Sequence, residues 1–508
     1  MRLHARTLVY LLPRTQTQPQ PPPAVSTLLF EPSSRSLALM LSDSSCLLYP
    51  SFSPFSSPPL PTAVPPVSTA ACFLRLLPSP AAAGHVIFLS ASPVASGSAV
   101  QLRAWILLPR DLFAPALLNF KSERACSALA LPLPHGLSVR LAASTNVFVL
   151  HSLAANQIWV FAARLPGDHD DGGGGGGHPA VDLMKCAVVD LVLPVYSVAV
   201  SMGFLLLGEM DGVRVFPLRP LIKGEGRVAR RGGVGQKGLS AAKGVDSVVD
   251  VCKKGVLNGL VIPSSAAKSG PPSLAAGKLP RPEAGCCCND RGAELKNVVE
   301  KGTAGDRTPY KLRTVSLSQN SSDYSIFVVM TCGDIQNSKN AMGAVASAKA
   351  VSIHSLSQKK FLILDSAGNL HVLSMPNTVK APEGTALCSA TPKDAHMIHL
   401  DHTMKVQMLA VLPDISAKMQ IFWVSDGGYS VQMMSITDIE CPVSENDKNE
   451  SKQKAVQISA IEAIFASEKV QDIIPLSANA ILVLGQGAVQ FSIMEYEHPV
   501  SIDQLVPC

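Results

Sequence analysis

The chain has 508 residues, of which 47% are hydrophobic and 16% are charged, and its formal net charge is +5. Because one hydrophobic core rarely exceeds roughly 250–300 residues, this length predicts several domains, a repeat array or a domain with insertions, and the composition excludes wholesale disorder. The 12 cysteines contain no C-x-x-C pair, which excludes the usual zinc modules and favours a reducing compartment, the cytoplasm and/or the nucleus.

The first 23 residues predict a disordered tail. They contain three arginines, no acid, and an apolar stretch too short for a secretory signal core. An Arg-rich segment without acids is also typical of an organelle transit peptide, and this remains the alternative for the tail.

One local pattern recurs along the chain: an apolar strand, a short turn rich in Gly, Asn, Asp or Ser, and a second strand of alternating polarity. This pattern predicts β-hairpins. The seven copies lie at 37–49, 86–107, 147–161, 204–216, 361–373, 421–434 and 481–493.

The hairpins keep a regular spacing. Measured at the middle of each second strand, the intervals are 56, 56, 55, 157, 61 and 58 residues. A unit of four strands explains the five similar intervals, and an insertion of about 100 residues explains the long one. The segments 324–330 and 350–356 resume strand-like alternation after the insertion and are predicted to supply the inner strands of the next unit.

The uncharged segment 191–208 approaches the roughly 20 residues that a membrane helix needs. Pro194, Ser201 and Gly203 interrupt it, and β-branched valines are frequent, so strands are the preferred interpretation. Membrane association through 191–208 is kept as an alternative.

The insertion is assigned to residues 221–312 and is predicted to be flexible and basic. Residues 221–310 contain fifteen Lys and Arg against eight Asp and Glu, in a sequence rich in Gly, Ala, Pro and Ser. Flexible basic segments attract anionic surfaces, so this one could contact nucleic acid, an acidic partner or an import receptor, with a solvated linker as the default interpretation. It is sparse and lacks interleaved aromatic residues for base stacking, which disfavours nucleic acid. The candidate partner-binding residues are Arg227, Arg230, Arg231, Lys237 and Lys243.

Three hairpins resemble the ends of WD repeats. Met210-Asp211-Gly212-Val213-Arg214-Val215-Phe216 is similar to the Asp-Gly turn and apolar strand that close a WD repeat, with Phe in place of Trp. Residues 366–373 and 426–431 are looser versions, and the expected upstream Gly-His pair is absent from the units. The chain thus resembles divergent WD40/YVTN-like propellers.

The resemblance implies an all-β fold, a seven-bladed β-propeller with a long disordered insertion between blades four and five. Residues 24–220 then form blades one to four, and residues 313–508 form blades five to seven. The first unit lacks room for four strands between residues 24 and 49, so ring closure is predicted to join strands from both ends of the chain.

Other motifs are weaker. The string Gly233-Val234-Gly235-Gln236-Lys237-Gly238 matches G-x-G-x-x-G but lacks the strand and helix that a dinucleotide site needs. His169, Asp170, Asp171 and His178 flank a glycine run and are interpreted as a solvated loop, with a metal site as the alternative. Trp105, Trp159 and Trp423 fall in hairpin strands and are predicted to be buried.

These features predict a non-catalytic scaffold or adaptor that binds other proteins, with no catalytic residue, cofactor, metal or small-molecule substrate, as the family implies. The alternative is a propeller enzyme, a hydrolase or lyase with a site at the central channel. Such an enzyme would need a convergent set of acids and histidines at the entrances of the blades.

Overall fold

The structure is a computed structural model. It describes residues 2–7, 23–56, 59–65, 70–78, 84–94, 97–120, 125–136, 138–166, 179–223, 314–322, 324–330, 347–376, 395–412, 419–440, 454–486 and 489–495. The predicted insertion from 224 onward, including its five candidate basic residues and the G-x-G-x-x-G string, lies outside these ranges, as do His169, Asp170, Asp171 and His178.

Strands dominate the described chain. The first half contains β1 (Arg2–Thr7), β2 (Val25–Glu31), β3 (Ser36–Leu41), β4 (Cys46–Tyr49), β5 (Thr62–Val64), β6 (Ala70–Leu76), β7 (His85–Pro93), β8 (Val100–Leu108), β9 (Leu112–Phe120), β10 (Leu129–Leu131), β11 (Val139–Ala143), β12 (Val147–Ser152), β13 (Gln157–Arg164), β14 (Ala180–Asp190), β15 (Ser197–Ser201), β16 (Phe204–Glu209), β17 (Gly212–Pro217) and the short helix α1 (Leu218–Lys223). The second half contains β18 (Val315–Ser318), β19 (Ile326–Val329), β20 (Ala350–Ser355), β21 (Lys360–Asp365), β22 (Leu370–Ser374), β23 (His396–Leu400), β24 (Met408–Val411), β25 (Gln420–Ser425), β26 (Ser430–Glu440), β27 (Lys454–Phe465), β28 (Asp472–Ser477), β29 (Ala480–Leu484) and β30 (Val489–Glu495).

All seven predicted hairpins are present as antiparallel pairs: β3 with β4, β7 with β8, β12 with β13, β16 with β17, β21 with β22, β25 with β26, and β29 with β30. Several turns contain residues with positive φ, such as Asp211 and Gly368. Asp, Asn and Gly tolerate this conformation, which is why the turn pattern is visible in the sequence.

The strands form an all-β propeller. Each hairpin is flanked by an inner first strand and an outer fourth strand, and the first strands follow one another around a ring: β2 contacts β6, β6 contacts β11, β11 contacts β15, β15 contacts β20, β20 contacts β24, β24 contacts β28, and β28 contacts β2. The expected all-β propeller is therefore confirmed.

The expected seven separate blades are not observed. The described strands form five separate four-stranded sheets and one ten-stranded sheet. The large sheet arises because the outer strands β9 and β14 pair in parallel, which joins the sheet β6–β9 to the sheet β11–β14. The strand β18 also pairs with β14 in parallel, and β10 pairs with β8.

The two ends of the chain meet in one sheet. β1 pairs with β30 along six residues, from Arg2 opposite Glu495 to Thr7 opposite Gln490, in the order β1-β30-β29-β28. Joining of the ends was predicted, but the assignment of residues 1–23 to a disordered tail is wrong for Arg2–Thr7. Alternation of charged and small residues hides this strand from a search for apolar runs.

Two further expectations are corrected. The first unit does have four strands, because β5 (Thr62–Val64) pairs with β4 beyond the range 24–49 in which four strands had no room. The insertion does not separate two blades: β19, expected to be an inner strand, is the outer strand beside β17, so residues 224–313 lie between the third and fourth strands of one sheet. β20, in contrast, is an inner strand as predicted.

The ends of the insertion are anchored on the same strand. Leu218 and Leu221 of the α1 segment and Leu317 of β18 share one buried cluster with Ala187 and Val189 of β14. The first residues of the predicted insertion, 221–223, are therefore the end of a packed helix rather than flexible chain.

The core lies between neighbouring sheets, as expected for amphipathic strands stacked around a ring. Trp105, Trp159 and Trp423 are only 6%, 7% and 1% exposed, which confirms that they serve packing. The segment 191–208 contains β15 and most of β16, so the preferred interpretation as strands is correct. In the part of the chain that is described, no helix has the length and apolar character needed to cross a membrane.

Candidate interaction surfaces

The antiparallel order of the strands gives the propeller two distinct faces. The turns between second and third strands, together with the connections from one sheet to the next, lie on one face, called here the turn face. The turns between first and second strands, and between third and fourth strands, lie on the opposite face, called here the basic face. Charged side chains are distributed unequally between these two faces.

Several acids of the turn face accept hydrogen bonds from nearby backbone N–H groups. Asp43 accepts hydrogen bonds from the N–H and hydroxyl of Ser45, and this contact lowers the pKa of Asp43. Asp211 accepts from the N–H of Ala348, and Asp426 accepts from the N–H of Gly428. Such contacts are the normal role of Asp in turns, so the negative charge of this face follows from turn chemistry.

The deepest turn acid is Asp365, at the end of β21. Its carboxylate accepts from the N–H groups of Ala367 and Asn369 at 2.8 Å and from the Asn369 amide at 2.9 Å, and it lies 3.2 Å from Nε2 of the buried His371. Burial raises the pKa of Asp365, but the hydrogen bonds from His371 and Asn369 outweigh burial and lower it to about 2.

A similar pair occupies the neighbouring sheet. Arg214 donates to Glu209 in two contacts, Nε to Oε1 at 2.6 Å and Nη2 to Oε2 at 3.1 Å, and both side chains are buried. Arg214 lies opposite Leu207, two residues before Glu209, and His371 lies opposite Ile363, two residues before Asp365. Repetition of the same geometry at two turns indicates a structural role rather than a catalytic one.

The basic face carries exposed arginines, which do not accept hydrogen bonds from backbone N–H groups as the acids of the turn face do. Among its described acids, Glu31 accepts hydrogen bonds from Ser33 and Ser34, Asp182 pairs with Arg164, and Asp438 pairs with Lys360. The basic side chains on this face belong to different turns and strand ends; they are Arg35, Arg75, Arg110, Arg164, Arg219, Lys359 and Lys360.

A groove on the basic face is a candidate site. It has a volume of about 500 Å³ and lies between the sheets β20–β23 and β24–β27. Such a volume falls within the range of ligand pockets. Its apolar lining is Met375, Pro376, Ile398 and Val456, and its polar lining is Ser357, Lys359, Lys360, Ser374, His396 and Asp438.

The groove exists because one hairpin projects beyond its sheet. The pairing of β25 with β26 ends at Gln420 opposite Ile436, whereas β26 and β27 stay paired for four more residues, to Glu440 opposite Lys454. The projecting part carries Asp438 and Val456 past the turn that precedes β21. Lys360, at the start of β21, forms an ion pair with Asp438 and so bridges the two sheets.

The central channel offers no catalytic set among the described inner strands. Arg140 donates to the carbonyl oxygens of Val195 and Tyr196, and Asp472 accepts from the N–H of Leu28 at 3.1 Å. Burial raises the pKa of Asp472. These charged groups are thus occupied by backbone contacts in different parts of the ring and do not converge.

One serine–histidine contact occurs on an inner strand, between Oγ of Ser352 and Nε2 of His354, at 2.8 Å. A nucleophile and base in this arrangement would need a carboxylate to orient the imidazole, and no carboxylate in the described ranges pairs with His354. Burial lowers the pKa of His354 to about 4, which leaves a weak base at neutral pH. The contact therefore does not favour the enzyme alternative.

Metal and thiol chemistry find no site in the described chain either. No group of three or more His, Cys, Asp or Glu side chains is arranged there to hold a metal ion. Cys46 and Cys72 are free and buried, and burial raises the pKa of each thiol to about 12. Thiols with such values are poor nucleophiles at neutral pH.

The sequence reasoning and the structure point to different surfaces. The five basic residues predicted to bind a partner lie outside the described ranges, so they stay a prediction. The groove was missed because its described lining comes from residues 357–360, 374–376, 396–398, 438 and 456, which only the fold brings together. The adjacent lysines 359 and 360 were the sequence signal that could have indicated a site at this turn.

Comparisons with known proteins find similarity among solved structures. No family model and no curated protein matches the chain. One similar solved structure is the β-propeller domain of Cps50 (Swd1) from Myceliophteria thermophila, with 8% identity, a TM-score of 0.39 and coverage of 96% of this chain and 99% of that chain. A second is U3-55K, with 7% identity, a TM-score of 0.39 and coverage of 96% of this chain and 98% of that chain. A third is the RRP9 WD40 repeats, with 7% identity, a TM-score of 0.39 and coverage of 97% of each chain. The strand topology described above is that of a β-propeller.

Proposed function

We propose that the chain is a non-catalytic scaffold that binds other proteins through the faces of its propeller. The observation that carries this proposal is the groove on the basic face, where an apolar lining meets a basic rim on a ring closed by β1 and β30. A rigid ring with an open amphipathic groove suits recognition of a protein segment, since apolar contacts give affinity and the charged rim gives orientation.

We further propose that the ten-stranded sheet works as two blades, which would make the propeller seven-bladed. The ring of contacts between first strands supports this interpretation, because it has seven members and includes both β6 and β11. Each half of the large sheet also has the same antiparallel four-strand order as the separate sheets.

The basic insertion then serves as a second contact for the partner. Arg227, Arg230, Arg231, Lys237 and Lys243 follow α1 in the sequence and are the proposed basic contacts. We propose that the protein acts in the cytoplasm and/or the nucleus. The free, buried cysteines of the described chain are compatible with a reducing compartment.

Proximity labelling with the full chain tests the scaffold proposal. The labelled set is compared between the native chain and a variant whose groove is blocked by Ile398→Arg, after circular dichroism has verified that both are folded. Reproducible partners that depend on the native fold support a scaffold. Failure to recover any reproducible partner, in cells where the chain is expressed and folded, would contradict it.

A further inference from the structure

The groove between the sheets β20–β23 and β24–β27 has a chemistry that selects among protein partners. Met375, Pro376, Ile398 and Val456 give it an apolar lining without an aromatic ring. Lys359 and Lys360 border the same space, and Asp438 is its one acidic lining residue. The site therefore combines an apolar interior with an excess of positive charge at its edge.

The ion pair at the edge is weak enough to be exchanged. The side chains of Lys360 and Asp438 are 24% and 45% exposed, so water already screens their contact. Ion pairs of this kind contribute roughly 0–1 kcal/mol. An incoming carboxylate that binds Lys360 loses little by displacing Asp438, because Asp438 lies on the exposed projecting hairpin and is free to turn into water.

The surroundings reinforce the preference for acidic ligands. The basic face bears exposed arginines at several turns, among them Arg35, Arg110 and Arg219. A face with one sign of charge attracts partners of the opposite sign and raises their rate of association. These arginines lie outside the two sheets that form the groove, so they add long-range attraction for acidic partners on this face and make no contact in the groove.

We propose that this groove binds an extended, acidic peptide segment of a partner protein, with one apolar side chain in the groove and a carboxylate on Lys360. This inference rests on the proposed scaffold function and names its ligand. Single-stranded nucleic acid also carries negative charge, but its bases bind largely by stacking on aromatic rings, and the described lining of the groove has no Phe, Tyr or Trp and offers only the imidazole of His396.

Fluorescence anisotropy with the full chain tests the proposal. The probe is a short labelled peptide of Glu and Asp with one central Leu; the comparison ligands are the same peptide with Ser for Leu, a Lys-rich version, and a labelled oligouridylate. We expect the acidic Leu peptide to bind most tightly and the Ser version to bind more weakly. Tighter binding of oligouridylate, abolished by Lys360→Glu, would overturn the peptide assignment.

Two variants at the ion pair make opposite predictions. Lys360→Glu should weaken binding of the acidic peptide by about tenfold, since it replaces attraction by repulsion. Asp438→Asn should strengthen binding by about threefold, because it removes the competing carboxylate at a cost of less than ~1 kcal/mol. A merely structural ion pair would instead make both variants lose binding together. Lys469→Glu, an exposed charge reversal on the turn face, is the matched control and should leave binding unchanged.

The outcomes separate this inference from the scaffold proposal. If neither Lys360→Glu nor Asp438→Asn changes peptide affinity while proximity labelling still recovers partners, the groove assignment is wrong and the scaffold function stands. If partners are recovered from the native chain and lost with Lys360→Glu, both are supported. Equal binding of the acidic and Lys-rich peptides would also overturn the assignment.

Discussion

Asp365 offers a quantitative test of how a buried turn acid stabilises this propeller. The pKa of its carboxyl is lowered from 3.8 to about 2 in the folded chain. At 1.36 kcal/mol per pKa unit, this difference corresponds to about 2 kcal/mol of stability for the charged form at pH 7. Asp365→Asn keeps the shape of the side chain and removes the charge, so it should lower the free energy of unfolding by about that amount.

The pH dependence gives the sign of the effect. Because the folded pKa lies below the unfolded one, the stabilisation is fully present above about pH 4 and is lost as the pH falls towards 2. Urea unfolding at pH 7 should therefore separate the native chain from Asp365→Asn by about 2 kcal/mol, and the gap should narrow to below about 1 kcal/mol near pH 2.5.

The control is Asp426→Asn at the corresponding turn of the next sheet. Asp426 is exposed and accepts one hydrogen bond, from the N–H of Gly428. Its replacement should change the free energy of unfolding by less than about 0.5 kcal/mol. An Asp365→Asn penalty that is the same at both pH values, or no larger than that of Asp426→Asn, would refute the electrostatic explanation.

Three further predictions address packing, closure and the insertion. Trp423→Ala should lower the free energy of unfolding by about 3–5 kcal/mol, while Tyr429→Ala, at a side chain 54% exposed, should change it by less than about 0.5 kcal/mol; urea titrations compare them. Deletion of residues 1–7 should lower the free energy of unfolding by a few kcal/mol, since the six paired residues of β1 make about six backbone hydrogen bonds worth roughly 1 kcal/mol each. An unchanged thermal midpoint would argue against closure by β1. Limited proteolysis should cut first between residues 227 and 307, and the two products should co-elute in gel filtration because β17–β19 and β1–β30 pairs join them; their separation would contradict a closed ring.

Local signals explain which parts of the fold were predictable. The hairpins were found because turn residues such as Gly212 and Gly368 fix their positions and because alternation marks their second strands. The regular spacing then indicated a repeat. The parallel contact between β9 and β14 has no such signal, since it depends on how two outer strands meet in space, and it changed the number of separate sheets.

The sequence mainly failed to predict which sheets are completed by strands from distant parts of the chain. β1 and β19 each complete a sheet whose other strands lie far along the chain. β1 has no apolar run, whereas the apolar β19 was recognised as a strand but was expected at the inner position of a sheet. The groove also depends on distant segments, because Lys360, Ile398 and Asp438 come from three strands of two sheets. Sequence reasoning recognised the repeated unit. It could not locate the groove or the sheets completed by distant strands, because these form only where separate parts of the chain become neighbours in space.

The pairing of β1 with β30 also governs the order in which the chain acquires its structure. Arg2 is synthesised long before its partner Glu495. At synthesis rates of roughly 5–20 residues per second, β1 waits on the order of 25–100 s for its neighbour. During this time the nascent ring is open, so we expect chaperones that shield exposed strands to be needed in the cell until β30 has been synthesised.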